Sequence, residues 1–343
     1  MGVFGAIGLA LGGNFSDLVL FGHLMRTFGR KAANCERMVR MFGACPILIL
    51  RLLLCCLGLA FCQLSSASRV VKDDRGVELA FSSPAKRIVS LYPSLTESIC
   101  LLNACDRLVG VDRSSNWPEW VQSVAHLGGL WDTSLEELVR LKPDVVLMSF
   151  SNPKLTQRLE ALGVAVLVFQ PQTIEQMKQA LREMTKLVDP VEAELGGAGH
   201  AEQLIHQMDL DLLALKAQIP QWARGRRIYL EVGSEGYAAS QSSYIGQLLE
   251  AYELINVVPK TLGDFPKMNR EWLLRQAPDI MVLAHGQRKS LKTVRGLRVL
   301  TPVIDERVCA LNQEQTDRLL RLGPRLASGV RAVVDCINKM RPL

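Results

Sequence analysis

The sequence predicts an α/β protein of two lobes with mainly parallel sheets, joined by a single long helix. Three observations carry this. Residues 134–148 (SLEELVRLKPDVVLM) and 269–283 (NREWLLRQAPDIMVL) match at a constant offset of 135. Each copy reads as an amphipathic helix, a Pro-Asp turn and a continuous apolar run of the kind that suits a buried parallel strand. Finally, residues 200–219 place apolar side chains at 201, 204, 205, 208, 212, 213 and 215, close to one helical face.

The elements follow in chain order. Residues 45–63 (CPILILRLLLCCLGLAFCQ) form an apolar run with Arg37, Arg40 and Arg51 before or at its front. Small residues at Ser65 and Ala67 precede Ser68, so 1–67 reads as an N-terminal extension and secretory signal peptide. Translation from Met38 or Met41 would give that signal an ordinary length, and an uncleaved membrane anchor is the alternative. Cys62 follows Phe61, where a lipid-modified cysteine follows a small residue. The first lobe is expected over 84–188. It opens with a strand at 86–91 behind Lys86-Arg87 and continues through the first repeat, a strand at 163–169 and a helix at 174–188. Residues 189–225 hold the inter-lobe helix and its loops, and Pro220 and Gly225 punctuate its end. The second lobe is expected over 226–343, with a strand at 226–230 behind Arg226-Arg227 and then the second repeat.

Composition narrows the function. Hydrophobic residues are 48% and charged ones 22% of 343, a core-forming globular chain. The formal charge is +6, but six Lys/Arg against two Asp/Glu lie in 1–67, leaving 68–343 almost balanced. No basic stripe suits nucleic acid, so no nucleic-acid partner is expected. Cys100, Cys105, Cys309 and Cys336 remain after the leader, without metal spacing and with their pairing open. Phosphate-loop, GxGxxG, GxSxG and HExxH patterns are missing, and Gly197-Ala198-Gly199 lacks its third glycine. The reading is therefore a binding protein and not an enzyme, with no cofactor and no metal site.

Aromatic residues stand where loops leave the α/β elements: Tyr92, Trp117, Trp131, Tyr237 and Phe265. In open α/β sheets ligands bind beyond the strands' carboxyl ends, so these side chains would line a cleft for a large, partly apolar ligand. Ordinary packing of loop aromatics is the competing explanation. Ser94 and Glu97 have capping-box spacing and read as structural.

Residues 87–97 (RIVSLYPSLTE), Gly128-Gly129, and Leu135-Glu136 through 142–146 (KPDVV) resemble the substrate-binding proteins of cobalamin, haem and iron-siderophore ABC importers. The resemblance covers about residues 84–340 and is strongest to cobalamin-binding members. It implies the helical-backbone fold of periplasmic binding proteins and a ligand held between the lobes. It also implies a monomer that docks on an inner-membrane permease dimer. By motif, the ligand-lining aromatics fall on Trp117 and Phe265, and a ligand-contacting acid and base fall on Asp317 and Arg321. That last pair also fits an i,i+4 surface salt bridge. Leu130 stands where the family's cobalamin binders have a pocket Trp, with Trp131 one place along, and the expected disulfide partner of Cys336 falls on Tyr252. Glu136 and Glu271, equivalent in the two repeats, would meet arginines of the permease, one lobe to each subunit. Their alternative roles are a capping box with Thr133 for Glu136 and a helix-dipole contact for Glu271. The ligand reading is cobalamin or another large metal chelate, with haem or a ferric siderophore as alternative. An enzyme on a related scaffold and a sensory or adhesive exported domain are the competing classes.

Overall fold

The computed structural model describes residues 69–129, 131–149, 152–189, 199–285 and 299–342. The leader, Leu130 and Gly197-Ala198 lie outside the described residues.

An antiparallel hairpin, β1 (Arg69–Lys72) with β2 (Glu78–Phe81), precedes the first lobe. Its turn is organised by the buried Asp73, whose Oδ1 accepts from the N–H groups of Arg75 and Val77 at 2.9 and 3.0 Å. The first lobe contains β3 (Ile88–Ser90), α1 (Pro93–Leu101), β4 (Leu108–Val111), β5 (Ala125–His126) and α2 (Leu135–Arg140). It continues with β6 (Val145–Met148), α3 (Pro153–Ala161), β7 (Val166–Val168) and α4 (Ile174–Val188). The sheet is parallel, in the order β5-β4-β3-β6-β7. Its central strands β3 and β6 are buried at every position, as their continuous apolar runs require. A full capping box between Thr173 and Gln176 starts α4.

A single helix, α5 (His200–Ala217), leads to the second lobe. It is fastened to the first lobe by the Lys178 ammonium, 2.9 Å from Asp209 Oδ2, and by His200 Nε2, 2.7 Å from the Leu101 carbonyl. Its far half is held by the second lobe, where the Tyr252 hydroxyl donates to the Leu212 carbonyl at 2.7 Å. Leu213 is 66% exposed and so leaves the apolar face that the spacing assigned it to. It falls one residue beyond Leu212, which takes the inward position.

The second lobe is built from β8 (Arg227–Gly233), β9 (Tyr237–Ala238), α6 (Tyr244–Ala251), β10 (Ile255–Asn256), α7 (Arg270–Gln276) and β11 (Ile280–Leu283). It ends with α8 (Thr301–Ile304), β12 (Val308–Ala310), α9 (Gln313–Leu320) and α10 (Leu326–Asn338). Its strands run β10-β8-β11-β12 in parallel, with β9 antiparallel on β8. Cys309 of β12 is bonded to Cys336 of α10, and Cys100 to Cys105 beyond α1. Cys336 therefore pairs with Cys309, while Tyr252 supplies the hydrogen bond to α5.

The two repeats superpose in role, residue for residue. Ser134 and Asn269 cap α2 and α7. Asp144 Oδ2 accepts from the N–H of Lys86 and Arg87 at 2.7 and 2.9 Å, and Asp279 Oδ2 from that of Arg227 at 3.0 Å. The Arg87 guanidinium donates to the Leu141 carbonyl and that of Arg227 to the Gln276 carbonyl, each at 2.7 Å through its shortest bond. Each sheet's first strand is thus latched to the end of its repeat helix by the same Arg–Asp device.

Candidate functional site

Parallel strands gather their loops at the carboxyl ends, and ligands bind there. Leu91 and Tyr92 follow β3, and Asp112 and Ser114 follow β4. With Pro93, Ser94, Leu320 and Arg321 they line a cavity of about 240 Å³ between first-lobe residues and the segment joining α9 to α10. The lobes meet closely here: a Cβ on Gly323 would lie 3.5 Å from that of Ser94.

Behind the lining residue Asp112 lies a buried polar series. The hydroxyls of Ser90, Thr96 and Ser115 contact one another in series at 2.8 and 2.9 Å. The series ends on the Asp112 carboxylate, which accepts from the Ser115 hydroxyl and, at 2.8 Å, from the Ser114 N–H. Burial raises the Asp112 carboxyl above its ordinary range, and these hydrogen bonds only partly oppose it. Burial also raises the Tyr92 phenol, and the nearby Asp112 charge adds to the effect.

Across the cleft, Arg321 is fully engaged through its two terminal nitrogens. One donates to Glu97 Oε1 at 2.7 Å and Asn116 Oδ1 at 2.8 Å; the other donates to the Ser114 carbonyl at 3.0 Å and Asp317 Oδ2 at 2.9 Å. Asn116 returns a bond from Nδ2 to Asp317 at 2.9 Å. The i,i+4 pairing of Asp317 with Arg321 is therefore present, embedded in a network that crosses between the lobes. Arg325 donates to the same Glu97 oxygen at 3.0 Å, and its guanidinium lies 4.2 Å from the Trp117 ring centroid.

Glu97 corrects the sequence expectation. Pro93 occupies the first helical position and Tyr92 is the N-cap, without a side-chain cap. Ser94 is thus already inside the helix and cannot form a capping box with Glu97. Glu97 is instead 1% exposed and committed to two arginines of the other lobe. Desolvation raises its carboxyl despite both cations.

The remaining aromatics are arranged differently. Phe265 packs edge-on against Tyr244 with ring centroids 6.1 Å apart, and the Tyr244 hydroxyl donates to the Leu320 carbonyl at 2.9 Å, beside the cavity wall. Tyr237 is half exposed, with the Lys267 ammonium 5.5 Å from its ring centroid. Trp131 is 78% exposed and lines no part of the cavity. Gly128 has φ +100°, a Cβ there would meet the Asp132 carbonyl oxygen at 2.5 Å, and Asp132 pairs with Arg113.

Glu136 and Glu271 are both the second residue of their helix and both exposed. The alternative role of Glu136, a capping box with Thr133, is not realised. Ser134 is the cap, accepting from the Glu137 N–H, while the Thr133 hydroxyl donates to the Gly129 carbonyl at 2.7 Å.

Sequence reasoning missed Asp112, Glu97 and Arg325. The apolar run LVGV before Asp112 signals a strand end, and Pro93 signals the true start of α1. Nothing local marks Arg325, whose partners lie more than 200 residues away.

Residues 88–297 match the periplasmic binding protein family. The chain is 27% identical over 278 residues to an uncharacterised ABC transporter substrate-binding lipoprotein of Bacillus subtilis, covering 78% of this chain and 84% of that protein. It is 23% identical over 240 residues to the vitamin B12-binding protein of Yersinia pestis, covering 68% and 81%. Its fold is similar to that of a periplasmic haem-binding protein from Pseudomonas aeruginosa, with TM-score 0.62 and 23% identity over 76% of this chain and 95% of that one. The chain belongs to the periplasmic binding protein family: it is a solute-binding protein of the ABC importer type, not an enzyme.

Proposed function

We propose that this protein captures cobalamin or a related corrinoid between its lobes and delivers it to an inner-membrane ABC permease dimer, acting as an exported, periplasmic monomer. One observation carries the ligand reading. The cleft's arginines are engaged by the protein's own carboxylates, and the cavity otherwise presents Tyr92, Ser94, Ser114 and the buried Asp112 beside the apolar Leu91, Pro93 and Leu320. A corrinoid rimmed with neutral carboxamides suits such a lining. The similarity to a vitamin B12-binding protein agrees.

The cavity, at about 240 Å³, is below the usual ~300–1,000 Å³ of ligand pockets. A corrinoid therefore rests at the mouth with one edge inside, and Trp117, Trp131, Tyr237 and Phe265 serve as walls of that mouth. Haem is the second reading, because a Tyr phenol at the cavity is a haem-iron ligand type. The raised Tyr92 phenol works against phenolate formation, and haem's propionates would want a cation that Arg321 does not have free. Glu136 and Glu271, equivalent and exposed on the two lobes, serve as docking acids whose charge orients the encounter with the permease.

Calorimetric titration with cyanocobalamin, haemin and a ferric siderophore tests this. One-to-one binding of cobalamin alone is expected. Binding of haemin or siderophore without cobalamin would move the ligand, and no binding to any of them would overturn the reading. The double variant Glu136→Ala, Glu271→Ala should abolish transport with affinity unchanged; lost affinity would refute the docking role.

A further inference from the structure

Glu97 receives two guanidiniums from the other lobe on a single oxygen, Oε1, at 2.7 and 3.0 Å. Its Oε2 is buried and without a hydrogen-bond partner among the described residues. Arg321 lines the cavity and spends its terminal donors on Glu97, Asn116, Ser114 and Asp317. Two carboxylates, Glu97 and Asp317, thus meet two guanidiniums, Arg321 and Arg325, and Asp112 adds a further acid on the cavity side.

We propose that Glu97 is a specificity-determining residue: by holding Arg321 and Arg325 it makes the cleft accept a ligand edge of neutral hydrogen-bonding groups and reject a carboxylate. The inference deepens the ligand reading above and rests on it. A ligand carboxylate approaching Arg321 must displace one of its existing acceptors and face Glu97, Asp317 and Asp112 at short range. A carboxamide incurs no such repulsion and can donate to Asp112 or to the Tyr92 oxygen. Glu97 touches no wall of the cavity itself. It acts through Arg321 and is a positioning residue. Glu97→Gln keeps the shape and one acceptor oxygen, removes the charge, and leaves a guanidinium unmatched beside the cavity.

A purely structural tie between lobes would change the affinity of every ligand alike. The decisive quantity is therefore a ratio, measured with a shape-matched pair: cyanocobalamin against its b-, d- and e-monocarboxylic acids. The wild-type protein should prefer cyanocobalamin at least tenfold over at least one of these acids. Glu97→Gln should shrink that preference at least tenfold, and Glu97→Gln with Arg325→Gln should restore most of it. If Glu97→Gln does not fold, Arg325→Gln alone should widen the preference, because three acids then face a single guanidinium instead of two. No wild-type preference, or a Glu97→Gln ratio within twofold of wild type, overturns the inference. If the wild-type protein binds no corrinoid, the ligand reading fails. The same ratio is then measured with haemin against its dimethyl ester, where Glu97→Gln should shift it at least tenfold towards haemin; an unshifted ratio overturns the charge selection as well.

Discussion

The two lobes share a plan and differ at one end. In both, a basic residue opens the first strand, an Asp caps its start, and a capped short helix presents an acid at its second position. Even the backbone agrees: Lys142 and Ala277, each before a proline, take φ +46° and +42°. The difference lies beyond the strands' carboxyl ends. In the first lobe β3 stops after three residues and turns into α1, bringing Tyr92 and then Glu97 to the cleft. In the second, β8 runs for seven residues and doubles back through β9. There Tyr229 donates to Glu231 at 3.1 Å, and Glu231 accepts from His285 at 2.7 Å, a largely buried polar cluster with no first-lobe counterpart among the described residues. The repeated register holds the sheets and displays the paired acids. The proposed ligand chemistry sits where the register is broken.

The disulfides offer the largest way to break the comparison. The second lobe's bridge closes a separation of 27 residues and the first lobe's only 5. Chain-entropy arguments then give about 3.5 kcal/mol for Cys309–Cys336 and about 2 kcal/mol for Cys100–Cys105. Urea unfolding of Cys309→Ser with Cys336→Ser, against Cys100→Ser with Cys105→Ser, should show that order; equal losses would mean that the loop argument fails here. The latches sharpen the likeness. Asp144 holds two backbone donors and Asp279 one, so Asp144→Ala should cost about 2 kcal/mol and Asp279→Ala about 1 kcal/mol in the same assay.

The smallest effect is in pH dependence. Burial raises Glu97, so its contribution to stability is complete below the ordinary Glu value and is lost as pH rises through the raised one. Hydrogen bonding to Arg182 lowers Glu202 on α5, so its contribution is present above the ordinary value and is lost as pH falls through the lowered one. Thermal melts across acid to neutral pH should lose the first trend in Glu97→Gln. The acid limb should flatten by well under ~1 kcal/mol in Glu202→Gln.

Much of this fold is legible from local pattern. The repeats carry their own caps and Pro-Asp turns, α4 begins at its Thr173 box, and α5 follows its apolar spacing to within two residues of the expected end. The hairpin 69–81 is not legible, because Asp73 and Asp74 tie its turn to Val168, far along the chain. Glu97 is misread for the same reason. Its S-x-x-E spacing is a local signal, and its partners come from the other lobe.

The single connecting helix has a kinetic consequence. Bolted to one lobe by Lys178–Asp209 and to the other by Tyr252, it restrains how far the free protein can gape. Little ordering remains to be done on capture, so arrival rates differ little among ligands that fit, and discrimination is expressed in residence time. On the proposed reading, unloading falls to the permease, which must pull the two lobes apart against the helix that spans them.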